Sequence, residues 1–380
     1  MELLNATKMH AAYTMGMQPD GRELLVVVIK GTFVIPLHGE KPALCDEQVG
    51  LIEADVFTGE PGFSAPLYES DYAPVKPRCD VILNGSAYAP GGHPTERVTV
   101  SLSIGQVRKG FDVVGDRFWR RDVFGFTPTQ PQLFTVMPIS YDNAFGGVDY
   151  LNPDPGKRDA YLWNPVGKGF CPKSNAYIEA KAVPNTEQSG RPIGSPAGSY
   201  RAMSFGPIGR AWQPRPQYAG TYDQNWIDTV FPFLPDDFDD RYYQCAPEDQ
   251  QTDYLRGGEE LVLENLTPQG YVRFKLPAVE LPVTFYLKSY EGVERAAMCD
   301  TLVIEPDLER FTMLWRASLP LRRNMFEVAQ VVTGRMPRGW YRARDLGKTY
   351  YQSLKQLMDE RRAAHDGAEE FSEEIVRFET

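Results

Sequence analysis

Leu24-Leu-Val-Val-Val-Ile-Lys-Gly-Thr-Phe-Val-Ile35 is dense in β-branched residues. It is far too short to span a membrane and predicts one or two buried strands. The same signature returns at Cys79-Asp-Val-Ile-Leu, Val98-Thr-Val-Ser-Leu-Ser-Ile and Glu260-Leu-Val-Leu-Glu-Asn-Leu. It recurs at Gly270-Tyr-Val-Arg-Phe-Lys-Leu, Leu281-Pro-Val-Thr-Phe-Tyr-Leu, Asp300-Thr-Leu-Val-Ile and Phe311-Thr-Met-Leu-Trp-Arg-Ala. Gly105 separates two alternating runs and predicts an antiparallel hairpin, and Asn84-Gly85 predicts a tight turn. Phe326 to Thr333 fits a strand or a helix, and Asp345 to Ala364 predicts a helix, with Tyr350, Leu354, Leu357 and Met358 at helical spacing.

Between 125 and 235 no long periodic segment appears. Proline, glycine and aromatic residues recur every few positions, a stretch too long for one loop and too aromatic for disorder. The expected architecture is mainly β: an antiparallel, sandwich-like core carrying a long irregular Pro/Gly/aromatic insertion and a C-terminal helix. Residues 1–330 are expected to form a single β-rich domain, with 137–235 as an ordered irregular layer on it. Residues 331–380 are expected to form the helix and an acid-rich tail from Gly367 to Thr380.

The chain of 380 residues carries a net charge of −11, so binding nucleic acid or an anionic membrane would need a local basic patch. The short runs Arg117/Arg120/Arg121 and Arg316/Arg322/Arg323 are interrupted by apolar residues and are read as ion-pairing surface or interface arginines. Five cysteines, widely spaced and odd in number, suit a reducing compartment. Met1 to Thr14 has no apolar signal-peptide core, and a cytoplasmic location is expected.

Motifs for chemistry fail one by one. His10, His38, His93 and His365 are scattered, and the run Asp236-Asp237-Phe238-Asp239-Asp240 lacks the calcium-loop pattern, so no metal site or cofactor is expected. Lys168 in Val-Gly-Lys-Gly lacks the upstream glycine and the following Ser or Thr of a phosphate loop. Ser204 in Ala-Met-Ser-Phe-Gly has no strand-turn-helix context for a nucleophile elbow. Cys171 has no histidine near it in sequence. What remains is a shaped segment, Met137 to Phe170, with Gly146-Gly147, Gly167, Gly169 and turns at Asn152-Pro153 and Asn164-Pro165 beside large rings. Rigid aromatic turns with arginines have the composition of protein–protein hot spots.

An ordered series of short motifs carries a resemblance. It comprises Lys76-Pro77 with Cys79-Asp80-Val81, Gly115-Asp116-Arg117 with Trp119, Met137-Pro138 with Ala144-Phe145-Gly146-Gly147, and Asn164-Pro165-Val166-Gly167-Lys168-Gly169-Phe170. Pro184-Asn185 with Glu187, Phe205-Gly206-Pro207-Ile208, Trp212 with Pro214-Arg215, and Ala219-Gly220-Thr221-Tyr222-Asp223 with Trp226 follow. Leu234-Pro235-Asp236-Asp237-Phe238 and Ala246-Pro247 with Asp249-Gln250-Gln251 complete it. From Leu24 to Trp315 the chain resembles a bacterial domain-of-unknown-function family of type VI secretion effector adaptors, or chaperones, encoded beside PAAR-like spike-tip proteins. It departs from that family at Asp142-Asn143 and beyond Arg316. The resemblance implies a non-enzymatic protein that binds a PAAR-like protein with its toxin effector and helps load it onto the VgrG spike. Neither nucleic acid nor membrane is an expected partner. The partner-binding residues expected are Phe145, Gly146, Gly147, Trp163, Lys168, Phe170, Trp212, Arg215, Tyr222, Trp226, Asp236 and Asp237. The alternative from another class is an acid/base hydrolase, or carbohydrate-active enzyme, using carboxylates of the aromatic middle segment.

Overall fold

In a computed structural model, the structure describes residues 1–362 apart from 37–40, 124, 151–152, 173–177, 352 and 360–361. His38, Asn152, His365 and the tail from Gly367 to Thr380 therefore lie outside the described residues. The chain divides into two compact units, Met1–Thr333 and Gly334–Thr380.

The first unit is mainly β. Glu23–Val34 forms one strand at the heart of a six-stranded sheet, paired with His10–Met17 on one side and Arg310–Pro320 on the other. Its central positions are all buried, because both faces of the sheet are covered. Leu25, Val27 and Ile29 face the main core, while Leu24, Val26 and Val28 pack with Leu314 and Leu51 on the opposite side. A strand covered on both sides reads as a continuous apolar run instead of an alternating one. Met298–Glu305, Cys79–Leu83 and Gln251–Thr252 complete the sheet, with Cys79–Leu83 lying parallel to Met298–Glu305.

A five-stranded sheet runs Thr186–Glu187, Val107–Val114, Arg97–Ile104, Glu260–Glu264 and Tyr271–Lys275. Its hairpin closes at Gly105, where φ is +55°, as the spacing predicts. Here burial alternates along Arg97–Ile104 and Tyr271–Lys275, since one face meets the core and the other meets solvent. A four-stranded sheet adds Glu2–Asn5, Val328–Thr333, Pro282–Leu287 and Gly292–Ala296. Side chains from all three sheets merge in one apolar core, in which Phe311 packs against Phe33 at 5.3 Å and against Phe274 at 5.5 Å between ring centroids.

Two local expectations are corrected. Asn84-Gly85 is not a hairpin turn: the strands on either side pair elsewhere, Cys79–Leu83 with Met298–Glu305 and Gly85–Tyr88 with Val136–Ile139. Asn84 instead stitches the crossing, its amide donating to the Ile304 carbonyl and its side chain to the Leu67 carbonyl. In the second unit the helix is Arg338–Asp345, with a further helical stretch at 354–359, not one helix from Asp345. Gly347, at φ +62°, closes the first helix, and Lys348 N–H returns to the Ala343 carbonyl. Tyr350 folds back over Gly339, where a Cβ would lie 2.9 Å from its ring.

The segment 137–235 carries small cores of its own. Trp119, Phe145, Cys171, Val183 and Ile193 pack with Tyr161, Phe170 and Tyr200. Tyr141, Ala144, Ile208 and Trp212 form a second cluster with Ala65. An irregular segment stays ordered when its rings bury against one another in this way.

Candidate partner-binding surface

The glycine motifs form a crossing of two chain segments. Phe145-Gly146 pairs in parallel with Lys168-Gly169. A Cβ on Gly146 would lie 2.0 Å from the Asn164 carbonyl oxygen, and one on Gly167 2.6 Å from the Ala144 carbonyl oxygen. No side chain fits either place. Asn164, wholly buried, locks the crossing by donating from Nδ2 to the carbonyls of Tyr141 (2.8 Å) and Phe145 (3.1 Å).

Lys168 Nζ does not point at open space for a phosphate. It donates to Asn143 Oδ1 at 3.0 Å and Asn185 Oδ1 at 2.7 Å, and burial lowers its pKa. Asn185 in turn donates to the Val114 carbonyl and to Asp116, tying the crossing to the five-stranded sheet. The unexpected pair Asp142-Asn143 has a place here too. Asp142 accepts from Thr58 Oγ1 and the Ala65 amide, so it fixes a neighbouring loop.

Buried ion pairs organise the layer that covers the sheets. Asp80, fully buried, accepts from Lys76 Nζ (2.7 Å), Gln244 Nε2 (2.6 Å), Cys245 N (2.9 Å) and Ala246 N (3.1 Å). Burial is the largest single influence on Lys76 and works against its charge, but Asp80 together with the more distant Cys245, Asp300 and Glu69 outweighs it and raises the pKa above its ordinary value. Glu187, also fully buried, pairs with Arg117 at 2.7 Å and Arg97 at 2.9 Å. Arg215 forks onto Glu69 at 2.9 and 2.8 Å and caps the carbonyls of Ile208 and Tyr242. Arg316 pairs with Asp300 at 2.6 Å. Arg117 and Arg316 are thus ion-paired as expected, but in the interior and not at the surface, because each is enclosed with its carboxylate under the covering layer, while Arg120 and Arg121 are exposed.

These placements sort the expected contact residues. Phe145, Gly146, Trp212 and Arg215 are buried in the free chain and hold the layer together. They offer little or no surface in this conformation, although Gly146 lies at the floor of the groove described next. Lys168, Gly147 and Phe170 line a groove of about 490 Å³ with the exposed rings of Phe63 and Tyr150. Exposed Trp163 stands at a separate cleft of about 580 Å³, with Tyr141, Tyr200, Arg191 and Arg201. Tyr222, Trp226, Asp236 and Asp237 belong to a third feature, a loop that carries Ile227, Phe231 and Phe233 exposed as well. The twelve positions are therefore spread over three surface features and an interior scaffold.

Sequence reasoning missed Lys109. Its Nζ lies buried at the wall of the 580 Å³ cleft, donating to Gln250 Oε1 (2.6 Å) and Asp249 Oδ1 (3.2 Å). Burial lowers its pKa to about 8, against the opposing pull of Asp249. Its signal was a lysine at an inward position of an alternating strand: Val107 and Phe111 share its buried face. Of the described residues lining that cleft, the one carboxylate is Glu248, whereas glycoside hydrolysis uses a pair. Ser204 is fully buried, its oxygen accepting from the Gly206 amide. Among the described residues no group of His, Cys, Asp and Glu has the arrangement of a metal site, and no helix is long and apolar enough to cross a membrane.

A family model described as an uncharacterized protein conserved in bacteria (DUF2169) matches residues 20–316. No curated protein and no solved structure matches the chain.

Proposed function

For a chain that belongs to this bacterial family, DUF2169, we propose the role of a non-enzymatic adaptor of type VI secretion. It binds a PAAR-like spike-tip protein with its effector in the cytoplasm and helps seat it on VgrG. The proposal starts from the motif series above and is carried by one observation: a loop layer fixed by buried charges and a glycine crossing displays large apolar side chains outward. Phe63, Tyr150, Trp163, Tyr222, Phe231 and Phe233 are all exposed. Exposed rings on a rigid frame lose little freedom on binding, which is the composition and mechanics of a hot-spot surface. An isolated spike tip offers the counterpart, an apolar, strand-rich surface prone to association.

Co-expression with a PAAR-like protein from the same bacterium, tagged pull-down and mass measurement after size exclusion test the proposal. A stable complex that keeps the partner soluble is expected. Failure of well-folded components to associate would overturn it.

A further inference from the structure

Residues 216–240 contain six aspartates, at 223, 228, 236, 237, 239 and 240, and no Lys, Arg or His. These 25 residues thus contribute −6 of a net charge of −11. The same loop exposes Tyr222, Ile227, Phe231 and Phe233. Acid and apolar surface are interleaved, and among the described residues no cation lies within ion-pair distance of Asp223, Asp228, Asp236 or Asp237.

The loop is held in shape. At its base Thr221 N and Oγ1 donate to Asp237 at 2.9 and 2.7 Å, and Asp239 N donates to the Tyr218 carbonyl at 3.0 Å. The rings of Tyr222 and Phe231 lie 4.8 and 5.5 Å from Trp226, whose Nε1 donates to the Phe233 carbonyl. Phe233 rests on Gly21, where a Cβ would lie 2.7 Å from the ring. Trp226 is therefore the post on which the exposed rings are hung.

We infer that this clasped loop is the docking element for the partner, and that it takes an apolar patch rimmed by lysine or arginine. The inference rests on the adaptor role proposed above and names the surface and the chemistry that role uses. Charge complementarity selects the occupant. A basic rim gains from the unpaired aspartates, which steer encounter and fix orientation. A second copy of this chain would set like charge against like across the contact, and an anionic lipid surface would be repelled.

The test titrates the full-length chain with the PAAR-like protein at about 50 and 500 mM salt. It compares wild type, the apolar variant Ile227→Ser/Phe231→Ser and the charge variant Asp228→Asn/Asp236→Asn, each first shown to melt like wild type. The apolar variant is expected to bind at least about tenfold more weakly at both salt concentrations. The charge variant is expected to lose affinity at low salt and to match wild type at high salt. If wild type binds and both variants bind equally well, the docking element lies elsewhere while the adaptor role stands. A wild-type chain that self-associates through this loop, or binds anionic vesicles through it, would overturn the inference likewise. If wild type does not bind the partner at all, the functional role falls and the inference with it.

Discussion

Replacing Asp80 by Asn keeps the side chain's shape and removes its charge. In the native chain Oδ2 receives Lys76 Nζ and Cys245 N, and Oδ1 receives Gln244 Nε2 and Ala246 N. Whichever way the new amide turns, its NH2 faces two donors. Lys76 is left buried without its counter-charge. Breaking a buried ion pair by removing one partner costs about 3–5 kcal/mol. The unfolding entropy of a globular chain near 60 °C is about 2.1 cal/mol/K per residue. Over the 333 residues of the first unit that amounts to roughly 0.7 kcal/mol/K. The melting temperature should therefore fall by about 4–7 °C. Removing the stranded charge as well, in Lys76→Met/Asp80→Asn, should recover part of the loss, because the cost lies in the unpaired cation. Differential scanning calorimetry at pH 7 reads both changes. A fall below about 2 °C for Asp80→Asn, or a double variant less stable than the single one, would refute the reasoning.

Trp163→Ala should leave stability within about 0.5 kcal/mol, since the ring is exposed, yet weaken partner binding. Phe145→Ala, by contrast, should cost about 3–5 kcal/mol in chemical denaturation, because that ring is wholly buried against Tyr161, Phe170 and Tyr200. Gly146→Ala places a Cβ 2.0 Å from a backbone oxygen, and its soluble yield should drop sharply beside that of the open-space control Gly50→Ala. Lys109 predicts a pH dependence. Its folded pKa, about 8, lies below the ordinary 10.5, so the unfolded chain binds more protons between those values and stability rises with pH there. The full penalty, at about 1.4 kcal/mol per pKa unit roughly 3 kcal/mol, applies below pH 8. Relative to Lys109→Met, wild type should gain stability from pH 8 to 10.5, and a flat difference would contradict the buried placement.

The β core was legible because its signal is local. Glu260–Glu264 and Tyr271–Lys275 alternate as a half-buried hairpin must, and the unbroken run before Val34 announces a strand covered twice. The Asn84-Gly85 reading failed because turn propensity says nothing of which distant strand claims each flank. The C-terminal helix was legible in the apolar spacing of Leu354, Leu357 and Met358, but its start was not, because Gly347 at φ +62° ends the preceding helix and the next helical stretch begins only at 354. In the site, burial was the hidden variable. Phe145 and Trp163 look alike in a sequence, and only packing shows that one is a keystone and the other a surface ring. Lys76, Asp80, Asn164, Asn185 and Arg215 all fall in the motif series, and all serve the scaffold.

Glu2–Asn5 lies parallel to Val328–Thr333, and Gln330 Nε2 donates to Glu2 across 328 positions of sequence. During translation, at about 5–20 residues per second, the first strand waits roughly 15–65 s for that neighbour. The run Leu24–Ile29 waits nearly as long for Arg310–Pro320 to cover its flank. Over that interval the nascent chain presents its most apolar segment uncovered. A product cut short before residue 310 is therefore expected to aggregate instead of folding, and slower elongation between residues 35 and 310 should lower yield without changing a single contact of the finished protein.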